Sequence, residues 1–243
     1  MKFIFAAITC LALALIAGLD ASAQLAIDKL WIDFENPSDT RGDLLLVNES
    51  QDRYYIDVTS FEIVNPGTEE EERVTYADPE ELGLLVTPNR MILDPGQSRS
   101  LRVIRIPGDM SSDRVYRVRI EPKLGDISAE GFESERTMVI KLLTAYEVLV
   151  TSRPRNAAAD IAPVREDGAI KLTNSGNTNA LIYDVYLCEA GIEPDEEGTN
   201  CNKVSTRRLH PGNEWTIPTE TAEQRLYAKV KMTDRGQDAT LIF

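Results

Sequence analysis

Apolar and polar residues alternate with a period of two along most of this chain, in short runs closed by turn signals. Leu25 to Phe34 alternates around Ala26, Asp28, Leu30, Ile32 and Phe34. Leu44 to Asn48 is a short apolar run, and Tyr54 to Val64 alternates again until it meets Asn65-Pro66-Gly67. Leu84 to Thr87, Met91 to Leu93, Ser98 to Ile106 and Arg114 to Ile120 follow, separated by Pro, Gly, Asn and Asp. A period of two sends alternate side chains to opposite faces of a strand. Turn signals about 8–12 residues apart predict an all-β sandwich. The acidic run Thr68 to Glu72 reads as a solvated loop, and no long amphipathic helix is predicted anywhere.

One stretch stands apart. Arg136 to Pro154 has no Gly or Pro before its last residue and is rich in β-branched and aromatic side chains. Met138, Ile140, Leu142, Thr144, Tyr146, Val148 and Val150 form one alternate set, and a mixed set lies between them. A single strand of about fifteen residues is far longer than the usual 5–6. Two readings remain open: a core strand preceded by a turn, or an extended strand that lends its apolar face to another protein.

Pro154 to Pro163 reads as a boundary, because Arg-Pro-Arg-Asn-Ala-Ala-Ala-Asp, which opens it, carries no strand pattern. Strands resume at Ala169 to Thr173, Leu181 to Leu187, Val204 to Leu209, Glu214 to Ile217, Leu226 to Met232 and Ala239 to Phe243. Two sandwiches of about 130 and about 90 residues, 24–153 and 154–243, fit ordinary domain sizes.

Composition narrows the function classes. Residues 1–23 read as a cleaved signal peptide: Lys2, an apolar run from Phe3 to Ala17, and Ala21-Ser22-Ala23 before Gln24. Export leaves Cys188 and Cys201, because Cys10 lies in the leader, and an oxidising compartment favours a disulfide between them. No later stretch is long and apolar enough to enter a bilayer. The net charge of −14 makes nucleic acid and anionic membrane surfaces poor partners. With a single histidine, His210, placed in a Pro-Gly turn, no Ser-His-Asp, Cys-His or zinc arrangement is available. His210 reads as a surface turn residue. Phosphate loops and calcium loops are absent, so neither an enzyme nor a cofactor is expected.

The order of segments resembles the PapD-like periplasmic pilus-assembly chaperones of chaperone–usher systems. The residues that carry it are Val86 to Gln97 (Val-Thr-Pro-Asn-Arg-Met-Ile-Leu-Asp-Pro-Gly-Gln), Leu101-Arg102-Val103, Asp113 to Val118, and the long stretch closing at Arg153-Pro154. Leu172 to Asn177, Arg207 to Trp215 and the Cys188/Cys201 pair look most like the archaic branch. The resemblance implies two immunoglobulin-like β-sandwich domains joined by a short hinge, in the periplasm, with pilin or fimbrial subunits and an outer-membrane usher as partners.

It also implies sites. Met138, Ile140, Leu142 and Thr144 would enter the open core of a subunit that lacks its last strand. Asp113, Arg153 and Asp234 would form a buried charge cluster between the domains. Family members hold the subunit carboxylate with an Arg on the first strand and a Lys on the long strand, but Trp31 and Leu149 stand at those places. Arg90, Lys123 and Lys141 are the candidates for a relocated anchor. A structural or adhesive two-domain sandwich, itself exported and assembled, is the competing reading.

Overall fold

The computed structural model describes residues 24–125, 141–195, 197–233 and 236–243. Its first half runs β1 (Leu25–Ile27), β2 (Trp31–Phe34), β3 (Arg41–Asn48), β4 (Tyr54–Val64), β5 (Glu72–Val74), β6 (Leu84–Thr87), β7 (Arg90–Leu93), β8 (Ser98–Arg105), β9 (Arg114–Leu124) and β10 (Tyr146–Ser152). A single helical turn, α1 (Pro79–Leu82), lies between β5 and β6 and is capped by the Asp78 carboxylate. One sheet has the order β1-β3-β8-β6; the other has β2-β10-β9-β4-β5, with β7 also on β4. Alternate residues of both sheets, among them Phe34, Leu44, Leu46, Ile56, Leu101, Val118, Val148 and Val150, fill the core between them.

The second half contains β11 (Ile161–Glu166), β12 (Ala169–Asn174), β13 (Ala180–Cys188), β14 (Asn202–Val204), β15 (Arg207–Leu209), β16 (Glu214–Pro218), β17 (Arg225–Lys231) and β18 (Ala239–Ile242). Its sheets, β11-β12-β16 and β14-β13-β17-β18 with β15 on β13, enclose Ile170, Leu172, Ile182, Leu187, Trp215, Ile217 and Leu226. The chain is therefore all-β, two immunoglobulin-like sandwiches. Cys188 and Cys201 are bonded, with Cα atoms 4.7 Å apart, and pin the hairpin of β13 and β14.

Three expectations change. The alternating run Leu25 to Phe34 is two strands in two sheets: Asp28 N still donates to Leu45 O (3.2 Å), while Leu30 O already accepts from Leu149 N (2.9 Å). The end of the acidic run pairs instead of floating, since β5 lies against β4. The long strand is shorter than its pattern. β10 begins at Tyr146, and residues 141–145 are exposed and outside any strand. Strand character needs a backbone partner, and the β9–β10 register, continued beyond Tyr146↔Ile120, sets Pro122, which has no N–H, opposite Thr144. Met138 and Ile140 lie outside the described residues.

Candidate functional site

The crossing of the chain from one sheet to the other at Lys29 leaves a seam in the first sandwich. β2 runs parallel to β10 from Leu149↔Trp31 to Ser152↔Phe34, so that part of β10 has a neighbour on each side. From Tyr146 to Val148 β10 has β9 on one side and no strand on the other among the described residues. β1, which ends at Ile27, is paired among the described residues only with β3. Two sheet edges thus face one gap, and the Tyr146 hydroxyl bridges it by donating to Leu25 O at 2.7 Å. Unpaired edges over an apolar core invite another strand.

The apolar set of the long stretch divides at this point. Val148 and Val150 are buried in the core and Tyr146 packs partly against it, whereas Leu142 is 78% exposed. Thr144 is exposed too. Lys141 holds the lead-in segment against the turn between β3 and β4, 2.6 Å from Asp52 Oδ2.

The three candidate anchor cations are not brought together in the seam. Arg90 (3.4 Å) and Lys123 (2.7 Å) share the Asp57 carboxylate on β4, two strands away from β10, and Lys141 is paired with Asp52. The hydrogen bond from Lys123 holds the Asp57 carboxyl below its ordinary range. Trp31 and Leu149, standing where the family resemblance implies a charged pair, are register partners. They line one wall of a cleft of about 170 Å³ between the two halves.

At the foot of β10 the halves are joined by Arg153, whose side chain is 1% exposed. Its Nε and Nη2 clamp the Asp33 carboxylate at 2.9 and 2.7 Å, the paired geometry that makes Arg–carboxylate bonds strong. Nη2 also donates to Met232 O (2.7 Å), and Nη1 to Thr178 Oγ1 (2.5 Å), both in the second half. Asp113 lies 4.0 Å from Nη1 and is reached through Thr178, whose hydroxyl donates to Asp113 Oδ1 at 2.7 Å. Asn179 N adds a 2.6 Å bond to the other oxygen. Burial pushes the Asp113 carboxyl up, against the downward pull of Asn179, Thr178 and Arg153. The sequence pointed to Asp234 as the second acid, a residue outside the described ones; Asp33 was missed. Its signal was a lone charge in the run Trp-Ile-Asp-Phe, on the face opposite Ile32 and Phe34.

His210 departs from its surface reading. Its turn docks on the first half, where Asn213 Nδ2 donates to Pro66 O at 2.8 Å. Gly67, at φ 76°, leaves room for this contact; a Cβ there would stand 3.3 Å from Asn213 Nδ2 and 3.5 Å from His210 Cδ2. Burial, reinforced by Arg208, pulls the imidazole down to about 4, and its Nδ1 is buried without a hydrogen-bond partner among the described residues. No group of three or more potential metal ligands occurs among the described residues.

No family model matches the chain. Two curated Escherichia coli proteins are similar to it. A CS1 fimbrial subunit is 29% identical over 174 residues, 69% of this chain and 70% of its own length. A CFA/I fimbrial subunit is 28% identical over 229 residues, 91% and 90% of the respective chains. Among solved structures, the class 5 fimbriae chaperone CfaA superposes with a TM-score of 0.71 at 24% identity, over 90% of this chain and 97% of that one.

This chain has the fold of the fimbrial chaperones. The chaperone fold appears again in a complex of the chaperone CsuC with the tip subunit CsuE, from archaic Csu pili of Acinetobacter baumannii. There the TM-score is 0.54 and the identity 9%, over 90% of this chain and 98% of that one. The class 5 likeness is thus the higher of these two.

Proposed function

We propose that this protein is a periplasmic chaperone, not an enzyme, that binds pilus or fimbrial subunits by strand addition and delivers them to an outer-membrane usher. The observation that carries the reading is the seam: among the described residues, β1 and β10 each present an unpaired edge at one gap, directly above a closed apolar core. A subunit missing a strand has the complementary defect, an open core. A ladder along β10 would supply sequence-tolerant affinity, and Leu142, Ile140 and Met138 would supply register by entering the subunit. Asp113, Asp33 and Arg153 would hold the second sandwich at a fixed angle beneath the seam, with Asp234 the remaining candidate member of that cluster. The test is to purify the tagged protein from periplasm and identify what accompanies it. A stoichiometric fimbrial subunit, lost in Ile140→Asp and Leu142→Asp while the protein itself is recovered, is the expected result; recovery of the protein alone from fimbriated cells rejects the reading.

The competing reading, an exported structural or adhesive subunit, draws on the two curated Escherichia coli relatives, both named as fimbrial subunits. It predicts the protein in sheared surface fibres. The chaperone reading predicts it in the periplasmic fraction only.

A further inference from the structure

Arg105 breaks the pattern of its own strand. Leu101, Val103 and Arg105 are the core-facing set of β8, the first two fully buried and the last 6% exposed. A guanidinium at such a position is costly unless an anion or a full set of acceptors meets it. Its Nη1 donates to Asn36 O at 3.1 Å and its Nη2 to Arg153 O at 2.8 Å, both neutral carbonyls. Among the described residues no carboxylate pairs with it. Asp39, next to the Thr40 carbonyl that accepts from Arg105 N, is itself taken up by Asn36 N and Nδ2. Asp33 and Asp113 belong to Arg153.

Arg105 lines a cavity of about 510 Å³ at the hinge, together with Thr40, Ser111, Pro154 and Arg155. Arg155 is exposed, and neither its guanidinium nor the hydroxyls of Thr40 and Ser111 has a partner among the described residues. Asp109 is the one acid on the wall among the described residues, and it pairs with neither arginine. Two guanidiniums and two hydroxyls around one space offer more donors than a planar carboxylate can use. A tetrahedral oxyanion accepts several bonds at once, and the arginine fork matches phosphate in shape and charge.

We propose that this cavity binds a phosphate group, held by Arg105 and Arg155 with the hydroxyls of Thr40 and Ser111. Arg105 belongs to the first sandwich and Arg155 to the segment that leads into the second, so the bound group ties the two across the hinge. Strand addition at the seam is not required for it.

The probe is inorganic phosphate, titrated into the full mature chain by calorimetry with chloride holding the ionic strength constant. One phosphate per chain should bind with a Kd below about 1 mM. Arg155→Gln should weaken binding at least about tenfold, the worth of a hydrogen bond to a charged group. Arg105→Gln should abolish it; if that variant fails to fold, the exposed Arg155 still decides the matter. Arg99→Gln, an exposed cation at the other end of β8, should leave binding unchanged. Glycerol 3-phosphate, run beside inorganic phosphate, tells whether the group is free or carried: tighter binding of the ester means a carried phosphate, equal or weaker binding a free one. Absence of binding heat from both up to about 10 mM, ten times the weakest affinity expected, overturns the site. So does an affinity that survives Arg155→Gln, or one that falls as much in Arg99→Gln, which would reduce it to a general attraction between charges.

Discussion

Val148 and Val150 of β10 are at 0% exposure, whereas Leu142, on the same alternate set and four residues before Tyr146, is 78% exposed. The spacing and the residue types are alike in the two places. What differs is the neighbourhood: β9 flanks β10 from Tyr146 on and β2 joins it from Leu149, while residues 141–145 have no strand beside them among the described residues. A period-two pattern states which side chains share a face, and says nothing about who covers that face. In water, an uncovered apolar run beside an unpaired sheet edge is a hazard unless it has a partner elsewhere.

The sharpest way to break the comparison is to place the same carboxylate at both ends. Val148→Asp would bury an unpaired charge, a cost of several kcal/mol that leaves little of the typical 5–15 kcal/mol of domain stability. The expected outcome is a protein without a cooperative urea transition. Leu142→Asp should shift stability by no more than about 0.5 kcal/mol, as surface changes do. Matching losses in the two variants, measured by urea unfolding, would show that residues 141–145 are core after all.

Next in size is the foot of the strand. Arg153→Ala removes the partner of two carboxylates, one of them nearly fully buried, and takes a donor from Met232 O. Breaking a buried pair in this way costs about 3–5 kcal/mol, so the melting temperature should fall by about 10 °C. Asp33→Asn should cost less, because Asp33 keeps 23% of its side chain in solvent. A calorimetric scan in which Arg153→Ala melts with the native protein would deny the joint any structural weight.

Much of this was readable beforehand, for reasons that differ by residue. β4 was delimited to the residue because its alternation ends in Asn-Pro-Gly, which no strand continues through. The disulfide followed from export and the cysteine count. The break at Lys29 did leave a mark: Leu25 and Ile27 are apolar at odd positions, and Ile32 and Phe34 at even ones. That change of phase is what a strand does when it crosses to the facing sheet. Asp33 and His210 were illegible for a different reason. Both meet partners more than a hundred residues away in the chain, and turn composition at His210 describes its own loop, not the surface on which the loop docks.

His210 carries the third prediction, at the contact between the halves that β10 leads into. Its folded value of about 4 lies below the unfolded value near 6.5, so the unfolded chain takes the proton first. The stability it contributes is complete above pH 6.5 and is lost as the pH falls towards 4. At pH 5 the loss relative to pH 7 should be about 2 kcal/mol. Urea midpoints of the native protein and of His210→Gln, compared at pH 7 and pH 5, isolate this from the carboxylates. Parallel shifts in the two proteins would mean that the imidazole is charged when folded.

The smallest expected effect lies at the boundary of the two regions compared. Tyr146 is the residue at which β10 passes from covered to uncovered, and its hydroxyl ties that point to Leu25 O across the gap. Tyr146→Phe keeps the ring against the core and removes only the tie. The acceptor faces an open seam, where water replaces the lost donor, so the stability cost should be about 0.5–1.5 kcal/mol, the net worth of an ordinary hydrogen bond. Local opening should change more than global stability: amide exchange of Leu25 to Ile27 should quicken, while that of Leu101 and Val118 in the core tracks the small global loss. If the seam is where a strand is added, the tie must also yield when that strand arrives, and Tyr146→Phe should bind a fimbrial subunit at least as tightly as the native chain. Weaker binding by this variant, at unchanged core exchange, would mean that the hydroxyl belongs to the binding surface and that the covered and uncovered parts of the strand meet beyond Tyr146, nearer to Val148.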